Sequence, residues 1–326
     1  MRRASAASVL AFIFIGCGSQ PTAPTQPSSS GPISSLATNY LNEIIAIMQA
    51  NSINRLTINW ADFQNKVFAS VPHAQSIADT YPGIRLALGL LGDMHSSYTA
   101  TTGMVIQNPN PAYCNAAAPS TPSLPSDIGY LKVTSCCAGV DPVQFVDALQ
   151  QQIRASDSPS LAGWIVDLRG NTGGNMWPML AGVGPVLGEG LAGYFVYPGG
   201  ASTDFEYVAG KAELGGSVLA IASNPYRLLR DTPRTAVLTD GLTASSGEAI
   251  TIALKDRANT RSFGAPTCGL STANASHTLS DGASLILTDA VMADRTRMTY
   301  GGPVWPDETI QDVFAVQRAS DWLHGM

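Results

Sequence analysis

Between residues 128 and 293 short apolar runs alternate with helical patterns, and this alternation restricts the fold more than any other feature of the chain. Residues 128–133 read as a strand, 142–154 as an amphipathic helix, and 163–168 as a strand apolar on both faces. Residues 176–187 follow as a helix, 236–239 as a strand, 246–257 as a helix and 283–293 as a strand-rich stretch. Strands buried on both faces and separated by helices build parallel βαβ units, so the chain is expected to be α/β.

The preceding region has a different period. Leu41, Ile44, Ile45 and Met48 recur at helical spacing, as do Phe63, Val67 and Phe68, and then Ile77, Ile84, Leu86, Leu88 and Leu91. The spacing predicts three short helices packed as a bundle over residues 36–98. Residues 99–127, rich in Thr, Asn, Pro, Ala and Ser, carry no period and read as a loop or cap segment. Residues 128–326 then form the α/β core of the expected domain plan.

The N-terminus reads as an address. Arg2 and Arg3 precede a small apolar run, and Gly16 stands directly before Cys17, the layout of an export signal whose end resembles the lipobox of bacterial lipoproteins. That likeness implies removal of residues 1–16, lipid on the Cys17 thiol, and residues 17–35, rich in Ser, Pro, Thr and Gln, as a flexible tether. Gly18 after the cysteine points to the periplasmic side of an outer membrane or to the cell surface. The apolar run at residues 9–15 is far shorter than the roughly 20 residues a spanning helix needs, so membrane contact is expected through the lipid alone. With 18 Lys and Arg against 24 Asp and Glu, and no basic run, a nucleic-acid partner is excluded. Loss of Arg2 and Arg3 with no acid takes the net charge from −6 to −8. In an exported chain Cys114, Cys136, Cys137 and Cys268 are expected to form disulfides. Because adjacent cysteines seldom pair with each other, a link from Cys136 or Cys137 to Cys114 is the favoured pairing. No spacing suggests a metal site, and no cofactor is expected.

Two strand-to-helix junctions carry chemistry. In the first, Asp167-Leu-Arg-Gly-Asn-Thr-Gly-Gly-Asn175, the glycines permit positive φ and bring backbone N–H groups and a helix N-terminus to one point, a place that suits an anion or a developing oxyanion. In the second, Thr239-Asp-Gly-Leu-Thr-Ala-Ser-Ser-Gly-Glu248, Ser245 and Ser246 stand where serine is favoured as a helix cap and where a nucleophile would also be exposed. A third feature, Leu91-Gly-Asp-Met-His95, sets one of only four histidines directly after an apolar helix. Neither a GxSxG elbow nor a phosphate-binding glycine pattern occurs.

Taken together these pieces resemble the S41 family of serine peptidases, of the C-terminal-processing and tricorn-core type. The Leu-Gly-Asp-x-His helix end, the Asp-Leu-Arg-x-Asn-x-Gly-Gly turn and the Thr-Ala-Ser-x-x-Glu turn occur in the family's order. Phe263-Gly-Ala-Pro-Thr-Cys-Gly, Asp281-Gly and Val304-Trp-Pro-Asp307 follow. Gly174-Asn-Met-Trp-Pro-Met, Thr243-Ala-Ser-Ser-Gly-Glu and Ser271-Thr-Ala-Asn274 are most similar to the nisin-resistance-protein branch. The resemblance implies a ClpP/crotonase-like βαβ peptidase core behind the helical bundle. A PDZ domain does not fit between His95 and Tyr130.

The resemblance also assigns roles. Ser245 matches the nucleophile position, in preference to Ser246, and His95 rather than His277 is the general base. The lysine of Ser–Lys members is replaced by Leu270. Lys255, ten residues beyond Ser245, lies roughly 15 Å along a helix from it and cannot serve. Glu248 is the candidate third member, orienting His95 or the substrate, with a capping-box role as the alternative. The N–H groups of Gly173 or Gly174 and of Ser246 would form the oxyanion hole, while Asp167, Arg169 and Asp307 brace turns. The implied activity is Ser–His cleavage of extended peptides outside the cytoplasm, antimicrobial peptides among them. The rivals are a non-catalytic peptide-binding lipoprotein on the same scaffold and an esterase or amidase using the same dyad.

Overall fold

The computed structural model describes residues 31–326 apart from 118, 120–122 and 138. The lipid-anchor reading at Cys17, the signal segment and most of the tether lie outside the described residues.

In chain order the elements are α1 (Ser35–Asn51), α2 (Trp60–Ser70), α3 (Tyr81–Leu90), β1 (Ser97–Thr99), β2 (Val105–Gln107), β3 (Ile128–Lys132), α4 (Pro142–Ser156), β4 (Gly163–Asp167), α5 (Met176–Leu187), β5 (Gly190–Val196), β6 (Ser202–Val208), β7 (Lys211–Leu214), β8 (Ser217–Ile221), β9 (Thr235–Thr239), α6 (Ser246–Leu254), β10 (Thr260–Gly264), β11 (Thr272–Thr278), β12 (Ser284–Ala293), β13 (Glu308–Thr309) and α7 (Asp312–Leu323). The expected helices and strands are all present. The sequence pattern did not announce the antiparallel run β5–β8, the helix α7, or the hairpin β1–β2 that occupies the start of the expected loop.

Five parallel strands form one sheet in the order β13-β10-β9-β4-β3. Both faces are covered, which is why β4 and β9 are buried at every position. Trp164 and Val166 point into the main core with α4, α5 and α6. Ile165, between them, points the other way and packs with Ala315, Ala319 and Leu323 of α7. The helix α5 is buried along almost its whole length because α4, α6 and the antiparallel strands β6–β8 pack around it.

The antiparallel sheet has the order β2-β1-β12-β5-β6-β7-β8, with β11 on β12. Its long strand β12 joins the two halves of the molecule. Leu285 and Leu287 enter the core of the helical bundle with Ile44, Met48, Ile84 and Leu88, whereas Ala290 and Met292 enter the main core. The bundle is thereby fixed to the α/β core through strand pairing as well as through side-chain packing, and its last residues are carried to the parallel sheet's C-terminal ends.

The cysteine pairing differs from expectation. Cys114 is bonded to Cys268, and Cys136 to its neighbour Cys137. The loop carrying Cys114 runs over the β9–α6 turn, where Asn115 O sits against Gly241 and Cys268 N donates to Thr243 O at 2.8 Å. Cys268, not Cys136, is therefore within reach of Cys114.

Candidate active site

The adjacent parallel strands β4 and β9 end side by side, and the turns that follow are braced against each other. Asp240 accepts from Gly170 N, Leu242 N and Thr243 N at 2.9–3.0 Å. Thr243 Oγ1 donates to Leu168 O, and Ala244 N to Asn171 O. Asn171, wholly buried, donates its Nδ2 to Val133 O and accepts Gly173 N on its Oδ1. Asp167 and Arg169, each 1% exposed, pair through two contacts of 3.0 and 2.7 Å, and Arg169 also reaches Asp312. These are turn braces. Lys255 is turned away, bonded to Asp307 at 2.8 Å.

Ser245 is the residue before α6 and has φ 53° and ψ −116°. A non-glycine residue held there costs on the order of 1–3 kcal/mol, and such strain gathers at functional turns. Gly173 packs directly on it: a Cβ on Gly173 would fall 2.8 Å from Ser245 Cβ, and φ of 103° at Gly173 and 113° at Gly174 requires glycine as well. Ser246 Oγ donates to Gly174 O at 2.6 Å, which occupies that hydroxyl and ties the two turns together. Gly173 N is buried and already committed to Asn171. Gly174 N and Ser246 N, by contrast, have no partner among the described residues.

Glu248, on the first turn of α6, is wholly buried and accepts four hydrogen bonds. The donors are Ser245 N at 2.8 Å, Leu270 N at 2.8 Å, Gly269 N at 2.9 Å and Thr267 Oγ1. Burial raises its pKa above the ordinary carboxylate value, and the four donors pull in the opposite direction. Both oxygens are used, and neither contacts the histidine. Glu248 thus holds the Ser245 turn to the segment 267–270.

His95 stands between α3 and β1. Asp93 Oδ1 accepts from the backbone N–H of His95 and of Ser96, and Ser96 Oγ in turn accepts from Thr288 N on β12. The imidazole is half-buried and its Nδ1 lies 2.9 Å from Thr272 Oγ1 on β11. Burial lowers its pKa, with Asp93 partly opposing. It lines a cavity of about 320 Å³ together with Ile53, Leu270, Thr272, Val291 and Tyr300. Leu270 links the two candidate groups, since its N–H meets Glu248 Oε2, which also holds Ser245 N, while its side chain shares the cavity with His95. Ser245 and His95 make no hydrogen bond to each other. His277 lies farther along β11, opposite Leu285 of β12.

Asn171, Asp240, Thr267 and Thr272 were not singled out by sequence reasoning. Asn171 and Asp240 lie inside the two turns that were, but their partners are remote in sequence. Thr267 and Thr272 lie inside Phe263-Gly-Ala-Pro-Thr-Cys-Gly and Ser271-Thr-Ala-Asn274, stretches that carried the family resemblance without a role for either hydroxyl. Among the described residues no group of three or more His, Cys, Asp and Glu side chains is arranged to hold a metal ion.

The model of peptidase family S41 matches residues 127–310. The nisin-resistance protein of Lactococcus lactis subsp. lactis is 36% identical over 162 residues, which is 49% of this chain and 49% of that protein. The match thus spans about half the length of this curated relative. A lipoprotein from Streptococcus agalactiae superposes with a TM-score of 0.72 at 21% identity, over 90% of this chain and 98% of that one. The photosystem II D1 C-terminal processing protease superposes with a TM-score of 0.60 at 16% identity, over 88% and 97%. At these identities the likeness to solved structures is one of fold. The family match covers more than half of the chain, from the residue before β3 to the residue after β13, and the chain belongs to peptidase family S41.

Proposed function

We propose that this chain is a serine endopeptidase acting on extended peptides outside the cytoplasm, with Ser245 as nucleophile and His95 as general base. The observation that carries the reading is the strained Ser245 turn, packed on Gly173 and joined through Glu248 and Leu270 to the cavity that holds His95. A serine hydroxyl attacks a carbonyl only when a base takes its proton, and burial, by lowering the His95 pKa, favours the neutral imidazole that can do so. In the substrate complex Ser245 Oγ and His95 Nε2 must come within about 2.6–3.2 Å. The proton taken from Ser245 then passes from His95 to the leaving amine. Gly174 N and Ser246 N, free and on facing turns, supply the oxyanion hole. Gly173 N, committed to Asn171, does not.

Export with lipid on Cys17 is in keeping with the likeness of fold to the lipoprotein from Streptococcus agalactiae. The name of the Lactococcus relative makes cationic antimicrobial peptides the first substrates to try, in keeping with the acidic balance of this chain. Mass spectrometry of a peptide library that includes nisin, incubated with wild type and with Ser245→Ala, tests the reading. New termini that appear with wild type and vanish with the folded variant support it. Identical product patterns from the two proteins refute it.

A further inference from the structure

In a serine hydrolase the second nitrogen of the base must be held, so that the imidazole keeps the tautomer whose other nitrogen bears a lone pair. The carboxylates near this site are all otherwise engaged. Asp93 spends Oδ1 on the N–H groups of His95 and Ser96 and Oδ2 on Ser96 Oγ, and Thr288 Oγ1 also leans on it. Glu248 spends both oxygens on the nucleophile turn and segment 267–270. What reaches the ring is a hydroxyl, Thr272 Oγ1, 2.9 Å from Nδ1.

We infer that Thr272 is the positioning residue for His95, accepting from Nδ1–H so that Nε2 is left with its lone pair toward Ser245. The inference rests on the Ser245–His95 reading above and names the group that completes it. Thr272 suits the task. Its β-branched side chain has few χ1 states, and its backbone is fixed on both sides. Thr272 N donates to Leu270 O at 2.8 Å, while the preceding Ser271 donates its Oγ to Gly302 O at 2.6 Å and accepts Met292 N at 3.1 Å. The six residues 267–272 therefore do two jobs. Thr267, Gly269 and Leu270 hold the carboxylate that holds Ser245 N, and two residues later Thr272 holds the base. Nucleophile and base are set from one rigid segment.

A hydroxyl in this place has an electrostatic consequence that a carboxylate would not. The titratable groups around the ring are Asp93 from the loop after α3 and Tyr300 from the segment after β12. Segment 267–271 and the start of β11 present no charged side chain to it. With no carboxylate on Nδ1, the imidazolium lacks a direct counter-charge, and burial keeps the neutral form favoured.

The test uses the full chain and a fluorophosphonate probe, so that no natural substrate is needed. In the labelling step Ser245 Oγ bonds to phosphorus, fluoride leaves, and the hydroxyl proton passes to His95 Nε2. Rates are measured from pH 5 to 9. Thr272→Val is expected to slow labelling at least about tenfold, because the general base supplies 10²–10⁴-fold in all, while Thr272→Ser restores it to within about threefold. Thr272→Asp is expected to move the acid limb upward by roughly one pH unit or more, because a carboxylate favours the imidazolium. If Thr272→Val destroys the fold, the Ser and Asp variants decide. A slow Thr272→Ser, or an acid limb that Thr272→Asp leaves in place, overturns the inference, as does wild-type labelling by a folded Thr272→Val. Ser245→Ala and His95→Ala separate the two levels. If both abolish labelling while Thr272 is indifferent, only the positioning role falls. If Ser245→Ala labels like wild type, the dyad itself falls.

Discussion

Glu248 offers two readings that stability and reactivity distinguish. Its carboxylate is wholly buried and meets four donors, three of them backbone N–H groups. Glu248→Ala leaves all four without an acceptor. A buried donor so stranded costs about 1–3 kcal/mol; Thr267 Oγ1 and Gly269 N are buried and Ser245 N and Leu270 N partly so, which puts the cost of the set at about 4 kcal/mol. That is a large part of the 5–15 kcal/mol typical of a whole domain. Glu248→Gln keeps the shape but turns an NH₂ toward half of the donors and should cost about half as much. With a urea slope of at most about 3 kcal/mol per molar, the alanine variant should lose more than about 1 M in its denaturation midpoint. Ser245 labelling should fall with it, because the Ser245 N–H loses its anchor. A Glu248→Ala protein that unfolds at the wild-type midpoint and yet loses activity would refute this account. It would return Glu248 to the role of orienting His95.

Other perturbations follow from the same geometry. Gly174→Ala places a Cβ on the Cys136 carbonyl at φ 113°, which must displace the backbone N–H of residue 174, and on the oxyanion role proposed for that N–H it should reduce fluorophosphonate labelling by at least about a hundredfold. Arg169→Ala removes the buried guanidinium from Asp167, which keeps the Tyr130 hydroxyl, the N–H of residue 169 and a 3.3 Å contact to the half-exposed Lys132, and should cost about 3–5 kcal/mol in urea denaturation. The Cys114–Cys268 bond closes a loop of 154 residues, so the double serine variant should lose roughly 5 kcal/mol by the chain-entropy argument, read as a lower thermal midpoint without reductant. Because burial lowers the His95 pKa below 6.5, the neutral base persists as pH falls, and the acid limb of labelling should lie below that of a free imidazole.

The parts of this fold legible in the sequence were those with a local period. The α5 helix ran over residues 176–187 as read, and β4 was recognisable because both of its faces are apolar. The antiparallel strands β5–β8 were missed because their positions are half-buried and mixed in polarity, with β8 largely exposed. Their pairing, not their pattern, defines them. The site divides along the same line. Ser245, Gly173 and Gly174 sit in strand-to-helix turns whose Gly and Ser content is visible in the sequence, and the family resemblance singled out Ser245 over Ser246. The partner of His95 is not visible in that way, because Thr272 lies 177 residues away and its role arises from the pairing of β11 with β12. The disulfides were misread for a related reason. Proximity of Cys114 to Cys268 depends on the path of a loop over the Gly241 turn, which no spacing records.

Intact-mass analysis and peptide mapping after fluorophosphonate treatment bear most directly on the central claim. The account expects a single adduct, carried by Ser245, that disappears in Ser245→Ala and in His95→Ala while both remain folded. An adduct on another residue, or undiminished labelling of the Ser245→Ala protein, would contradict it.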